Sequence, residues 1–103
     1  MGEEEAPRLS KEVIEEALPK KPMKIGEEVG VTPEGYIVVN NEGDAFSLPP
    51  AVYALWMFCD GEKTVKEISA EISSKSEMPL ESVEEAVVAI LNALANVNLI
   101  SWK

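Results

Sequence analysis

Side chains able to do covalent or acid–base chemistry are scarce in this chain of 103 residues. There is one cysteine, Cys59, and no histidine. Without imidazole there is no Ser-His or Cys-His dyad, and the commonest metal ligand is missing. A single cysteine forms neither an internal disulfide nor a thiolate metal cage. Cys59 falls near the C-terminal end of an expected helix, where the dipole raises a thiol pKa, and no Arg stands close in sequence to activate it. It reads as a small apolar residue on a buried stripe. The 19 carboxylates could in principle supply an acid–base pair. A charge run usually marks a solvated face: Glu3, Glu4 and Glu5 sit in a tail, and Glu84 and Glu85 point away from the apolar stripe of their helix. The run Asn40-Asn41-Glu42-Gly43-Asp44 lacks the spacing of an EF-hand loop, and the glycines form no phosphate-binding run. No cofactor and no metal site is expected, and a binding module is favoured over an enzyme.

Charge narrows the partner. The formal net charge is −10, with 9 basic residues. The acidity is spread along the chain: residues 1–34 carry a net −4 and residues 35–103 a net −6. Nucleic-acid binders draw most of their non-specific affinity from basic contacts to phosphate, so this balance argues against them. A basic peptide segment, or a basic face on an enzyme, would be steered toward such a surface. No run of 18 apolar residues exists, and the N-terminus has no apolar stretch of the signal-peptide kind, so the expected location is the cytoplasm, with no membrane contact. Lys and Glu dominate the charged residues and Gln is absent, a usage reported for hyperthermophiles.

The elements that must position any site are legible from spacing. Ser10 is a candidate N-cap for a short helix over 11–18, with Leu9 and Ile14 at the positions of a hydrophobic staple and Pro19 stopping it. Residues 19–24 read as a stiff Pro/Lys linker. Three short strands follow, at 28–32, 36–40 and 44–48, joined by Pro33-Glu34-Gly35 and Asn41-Glu42-Gly43. The middle one, Tyr36-Ile37-Val38-Val39, is apolar on both faces and belongs at the centre of a meander. Three helices come next. The first covers 50–59 and opens on prolines, with Val52, Leu55, Trp56 and Cys59 inward. The second covers 64–74 and opens on the capping box Thr64-Val65-Lys66-Glu67. The third covers 79–95, with Leu80, Val83, Val87, Ile90, Leu91 and Leu94 on one stripe and Val88, Ala89, Ala93 and Ala95 opposite. A helix apolar on two sides is covered on both, by its own chain or by a second copy, which leaves a homodimer open. Residues 99–102 read as extended. The expected fold is α+β: a winged helix-turn-helix in which a three-stranded antiparallel meander precedes three helices, plus a short extra N-terminal helix. Residues 1–26 form the tail, helix and linker, and residues 27–103 the winged-helix domain.

A winged helix invites a DNA-binding reading with the last helix as recognition helix. From Ser76 to Trp102 there is no Lys or Arg, and Glu81, Glu84 and Glu85 would meet phosphate.

Within residues 35–100 the chain resembles the PqqD-like family, also called the RiPP recognition element. The resemblance rests on a hairpin, on Ala45-Phe46-Ser47-Leu48 leading into a helix, on Phe58-Cys59-Asp60-Gly61, on Thr64-Val65-Lys66-Glu67-Ile68, and on a helix ending in Leu99-Ile100. It implies a winged-helix fold that is not an enzyme. It also implies a role in binding the leader segment of a precursor peptide and presenting it to a modifying enzyme, typically a radical S-adenosylmethionine protein. In the family the leader adds as a strand to the third strand and packs on the third helix. Carried over, the peptide-binding residues would be Asp44, Ala45, Phe46, Ser47 and Leu48 on the strand, with Val88 and Leu91 on the helix. The chain departs from the family pattern at Pro49, where Asn is usual, at Asn98-Leu99, where Gly-Leu is usual, and in its added N-terminal helix. The rival readings are a transcription-associated winged helix that contacts protein and a structural dimerisation module. An open outer edge on the third strand beside an apolar groove would favour the adaptor. Filter binding with duplex DNA at low salt is expected to show no submicromolar affinity, and finding one would overturn the exclusion of nucleic acid.

Overall fold

The computed structural model describes residues 11–103; Ser10, Leu9 and the acidic tail lie outside the described residues. The elements in order are α1 (Lys11–Ala17), β1 (Pro22–Lys24), β2 (Glu27–Thr32), β3 (Gly35–Val39), β4 (Ala45–Leu48), α2 (Pro50–Met57), α3 (Val65–Ser76), α4 (Leu80–Asn96) and β5 (Ile100–Trp102). The architecture is the expected α+β one, an antiparallel sheet β2-β3-β4 followed by three helices, with a helix before it. Its register pairs Tyr36 with Leu48 and Val38 with Phe46. Cross-strand partners share a face, so Val38, Phe46 and Leu48 turn together toward the helices, and Val38 and Leu48 are buried there. Gly43 takes the positive φ (90°) that the short β3–β4 turn needs.

Two sequence expectations are corrected. The first concerns residues 19–24. Within this expected linker lies β1, which forms a second, two-stranded sheet with β5 and carries an isolated bridge to Asp60 on its other side. On one side β1 pairs antiparallel with β5, Met23 opposite Ser101. On the other, Lys24 N–H donates to the Cys59 carbonyl at 2.8 Å and Gly61 N–H donates to the Pro22 carbonyl at 2.9 Å. Pro22 is fully buried. Proline ordinarily argues against an inner strand because it has no N–H. Here only the carbonyl of Pro22 is called on, so nothing is lost. The carbonyls of Leu18 and Lys20 also accept from Lys66 N–H (3.0 Å) and Val65 N–H (2.9 Å). Those are two of the orphan donors at the start of α3. The segment after α1 therefore caps another helix.

The second correction concerns α4. Val88, expected on the side opposite the main stripe, is fully buried together with Val83, Val87, Leu91 and Leu94. At 100° per residue these positions span an arc of about 140°. An arc this wide is covered within the chain, since α1, α2, α3 and β5 all pack against α4. Ala89 and Ala93 remain exposed, as does Leu80.

The core is closed by Trp56, 1 % exposed, whose Nε1–H donates to the Leu99 carbonyl at 2.8 Å. The satisfied indole ties α2 to the approach of β5. Every residue of the Cys-Asp-Gly…Thr-Val-x-Glu-Ile run has a structural task. Asp60 Oδ1 accepts from the N–H groups of Glu62 (2.9 Å) and Lys63 (3.1 Å), which holds its carboxyl below the usual range. Gly61 adopts φ 79°. Thr64 and Glu67 exchange the reciprocal bonds of a capping box, and Val65 and Ile68 are fully buried. Cys59 is fully buried too, with Sγ–H toward the Leu55 carbonyl at 3.4 Å. Burial pushes its thiol up to about 12, the Asp60 carboxylate adding to the effect. The thiolate is the reactive form, so Cys59 in the native chain at pH 8 is expected to resist iodoacetamide for hours. It should label fully on unfolding, and rapid native labelling would contradict this burial.

Candidate functional site

The site begins at the turn after β3. Asn40 is 5 % exposed, and its amide makes three hydrogen bonds. Nδ2 donates to the Val97 carbonyl at 2.8 Å, while Oδ1 accepts from Glu42 N–H (2.9 Å) and Asp44 N–H (3.0 Å). One side chain thus shapes the hairpin turn and fastens it to the C-terminal end of α4. Asn favours such turns because its short amide bonds to backbone groups two residues on, and that is the signal by which it could have been found in sequence.

The same turn sets the phase of the ladder. Asn40 N–H donates to the Asp44 carbonyl at 3.0 Å, which makes this a hydrogen-bonded pair. Antiparallel ladders alternate, so Phe46 and Leu48 turn their N–H and C=O groups toward β3, and Ala45 and Ser47 turn theirs away. β4 is the edge of the sheet β2-β3-β4. Among the described residues nothing pairs with the outward groups of Ala45 and Ser47.

Beside this edge lies an apolar groove of about 340 Å³. Phe46, Ser47 and Leu48 form one wall. Ile90, Ala93, Leu94 and Val97 form the other, with Val52 and Leu99 completing it. Ser47 is the one polar residue of the lining. Of the residues expected to bind peptide, Asp44 and Ala45 stand exposed at the entry to β4, and Phe46, Ser47 and Leu48 line the groove. Val88 and Leu91 are not at the groove: both are fully buried in the core. The helical positions that reach it are Ile90, Ala93 and Leu94, which lie on an adjacent strip of α4. Ile90 and Leu94 are as apolar as the core itself, so periodicity alone does not separate them from the core stripe, and Ala93 falls on the opposite side of the pattern.

On the helix-facing side of the sheet an aromatic run fixes β3 to α2. Tyr36 stacks on Tyr53 with centroids 3.9 Å apart and planes at 11°, and Tyr53 meets Trp56 at 5.9 Å. The Lys24 ammonium lies 5.0 Å from the Trp56 ring. Burial and the nearby Glu28 carboxylate hold the Tyr53 hydroxyl above its usual pKa. Among the described residues no group of three His, Cys, Asp or Glu is placed to hold a metal ion. No helix is long and apolar enough to cross a membrane.

The family model for coenzyme PQQ synthesis protein D (PqqD) matches residues 33–100. The chain belongs to the PqqD family. A comparison with curated proteins finds no match. PqqD is a non-catalytic accessory family whose members bind peptide and enzyme partners. The match runs from the β2–β3 turn to the first residue of β5, so it contains the whole groove and leaves out α1 and β1. Of the three departures from the family pattern, those at Asn98 and Pro49 fall at positions with a definite local geometry. Asn98 takes φ 62°, the left-handed conformation that Asn tolerates better than most residues in place of Gly. Pro49 stands at the N-cap of α2 with no side-chain cap bond, and Pro50 behind it has no N–H to satisfy.

Replacing Asn40 by Ala removes the tie between hairpin and helix. It is expected to cost about 1–3 kcal/mol, read as a lower urea midpoint, with the largest amide shifts at Glu42, Asp44 and residues 97–99. An unchanged midpoint would show that the tie carries no weight.

Proposed function

We propose that this PqqD-family chain is a non-catalytic adaptor. It holds an extended segment of a precursor peptide along the free edge of β4 and presents it to a modifying enzyme, which the family resemblance suggests is a radical S-adenosylmethionine protein. The observation that carries the reading is the unpaired edge at Ala45 and Ser47 beside an apolar groove. An added strand would make main-chain hydrogen bonds to the outward groups of these two residues. Its alternate side chains would then point the same way as Phe46 and Leu48, into the groove against Ile90, Ala93 and Leu94. Affinity comes from the backbone and selectivity from the apolar side chains. The absence of basic residues from 76 to 102 favours a peptide carrying Lys or Arg near its apolar positions. A cytoplasmic location fits such a role.

The test exploits the phase of the ladder. Ser47 N–H points away from β3, so Ser47→Pro removes a docking donor without removing a sheet bond, and edge strands accept proline. Binding of a fluorescein-labelled extended peptide, with Leu and Phe at alternate positions and flanking Lys, is expected to weaken at least about tenfold in S47P. The far-UV circular dichroism should stay unchanged. Equal affinity in a folded S47P would sink strand addition at β4.

A further inference from the structure

The groove uses only the C-terminal half of α4. The N-terminal half faces a different feature, an open cleft of about 480 Å³ between α1 and α4. Its floor is aliphatic, from Ile14 and Leu18, both half-buried. Its rim is acidic: Glu15 on α1 and Glu81, Glu84 and Glu85 on α4, against Lys11 alone. None of these four carboxylates has an ion-pair partner among the described residues. Leu80, one helical turn before Glu84, adds an exposed apolar side chain at 39 %.

The wall that α1 supplies is held firmly. Ala17 is in the core at 6 % exposure, and the carbonyls of Leu18 and Lys20 are bonded to the start of α3. The residues of α1 also lie outside the stretch that matches the family. The cleft is therefore built from this chain's own addition to the fold. Glu81 and Glu85 stand at i and i+4 on one helix, where like charges repel, and the dipole favours the first-turn carboxylate of Glu81 alone. A cation-bearing occupant would relieve that repulsion, and the aliphatic floor would take an apolar anchor.

We infer that the cleft between α1 and α4 docks a basic amphipathic helix of a partner protein, one with Lys or Arg flanking an aliphatic side chain. This surface is separate from the edge of β4. Glu84 and Leu94 are ten residues apart on one helix, about 15 Å along its axis, so a strand on β4 and a helix in the cleft are bound side by side. The chain then works as a two-sided connector, with α4 as the shared beam.

The test uses the chain as it is and a defined probe: a 14-residue helical peptide with Leu on one face and Lys on the other. Titration followed by amide chemical shifts is expected to perturb Ile14, Leu18 and residues 81–85 most. The triple variant E81Q/E84Q/E85Q should bind about tenfold more weakly, as three lost surface ion pairs would, while its far-UV circular dichroism stays that of the parent. A control peptide with Ser in place of Leu, at the same charge, should also lose about tenfold, because the floor contributes area as well as the rim charge. S47P should bind the helical probe like the parent, which keeps this result distinguishable from the fate of the β4 proposal. Shifts spread over all acidic surfaces, centred on the groove, or undiminished in the triple variant would overturn the assignment.

Discussion

A buried amide governs the geometry on which the rest depends. Asn40 sits where the hairpin turns back and is held by partners from two directions, the turn itself and the end of α4. The first set decides which residues of β4 look outward. The second decides how far β4 stands from a helix that begins some forty residues later. Leaving any of these polar groups unpaired inside the structure is costly, so turn, ladder phase and groove width change together or not at all. A site made of backbone edges and aliphatic walls has no catalytic residue to locate it; its definition lies in spacing, and Asn40 sets the spacing.

An unpaired edge strand is also a hazard, because it offers itself to any extended chain. Several features limit that hazard here. β4 is four residues long, begins just after Asp44 and ends at Pro49, which has no N–H to offer. The chain's net charge of −10 sets identical copies in mutual repulsion. The same acidity would attract a basic partner. On the opposite edge, β2 breaks register between Glu28 and Gly30, and an irregular edge is a poor template. The two edges of one sheet are thus treated differently, one disrupted and one left receptive.

How much of this could be read from sequence follows the range of the interactions involved. The capping box at Thr64, the prolines opening α2, the Asn-Glu-Gly turn and the apolar middle strand are local codes, and each predicted its element to within a residue or two. The buried role of Cys59 was legible for the same reason. Three things were not. β1 is three residues long, too short for an alternation to show, and it contains a proline that local rules exclude. The family resemblance puts the wall of the groove at Val88 and Leu91, and apolar periodicity cannot correct it, because it says which strip of a helix is hydrophobic, not which part of that strip stays accessible when the arc is wide. Asn40 was noticed only as part of a poor calcium loop. Its partner Val97 is 57 residues away, and no local pattern announces a bond of that span.

The pairing of β1 with β5 bears on how the chain folds. Their register joins Pro22 to Trp102 and Lys24 to Ile100, so the contact closes nearly the whole length of the described chain, and entropy makes such long loops the slowest to close. The hairpins and helices between them rest mainly on nearer neighbours. The order of assembly this favours is meander and helices first, clasp last. Until the clasp closes, the Cys59 carbonyl and Gly61 N–H have no strand beside them, and the first donors of α3 lack the carbonyls of Leu18 and Lys20. The part of the chain that carries the family's signature therefore reaches its final rigidity only when the segments flanking that signature meet.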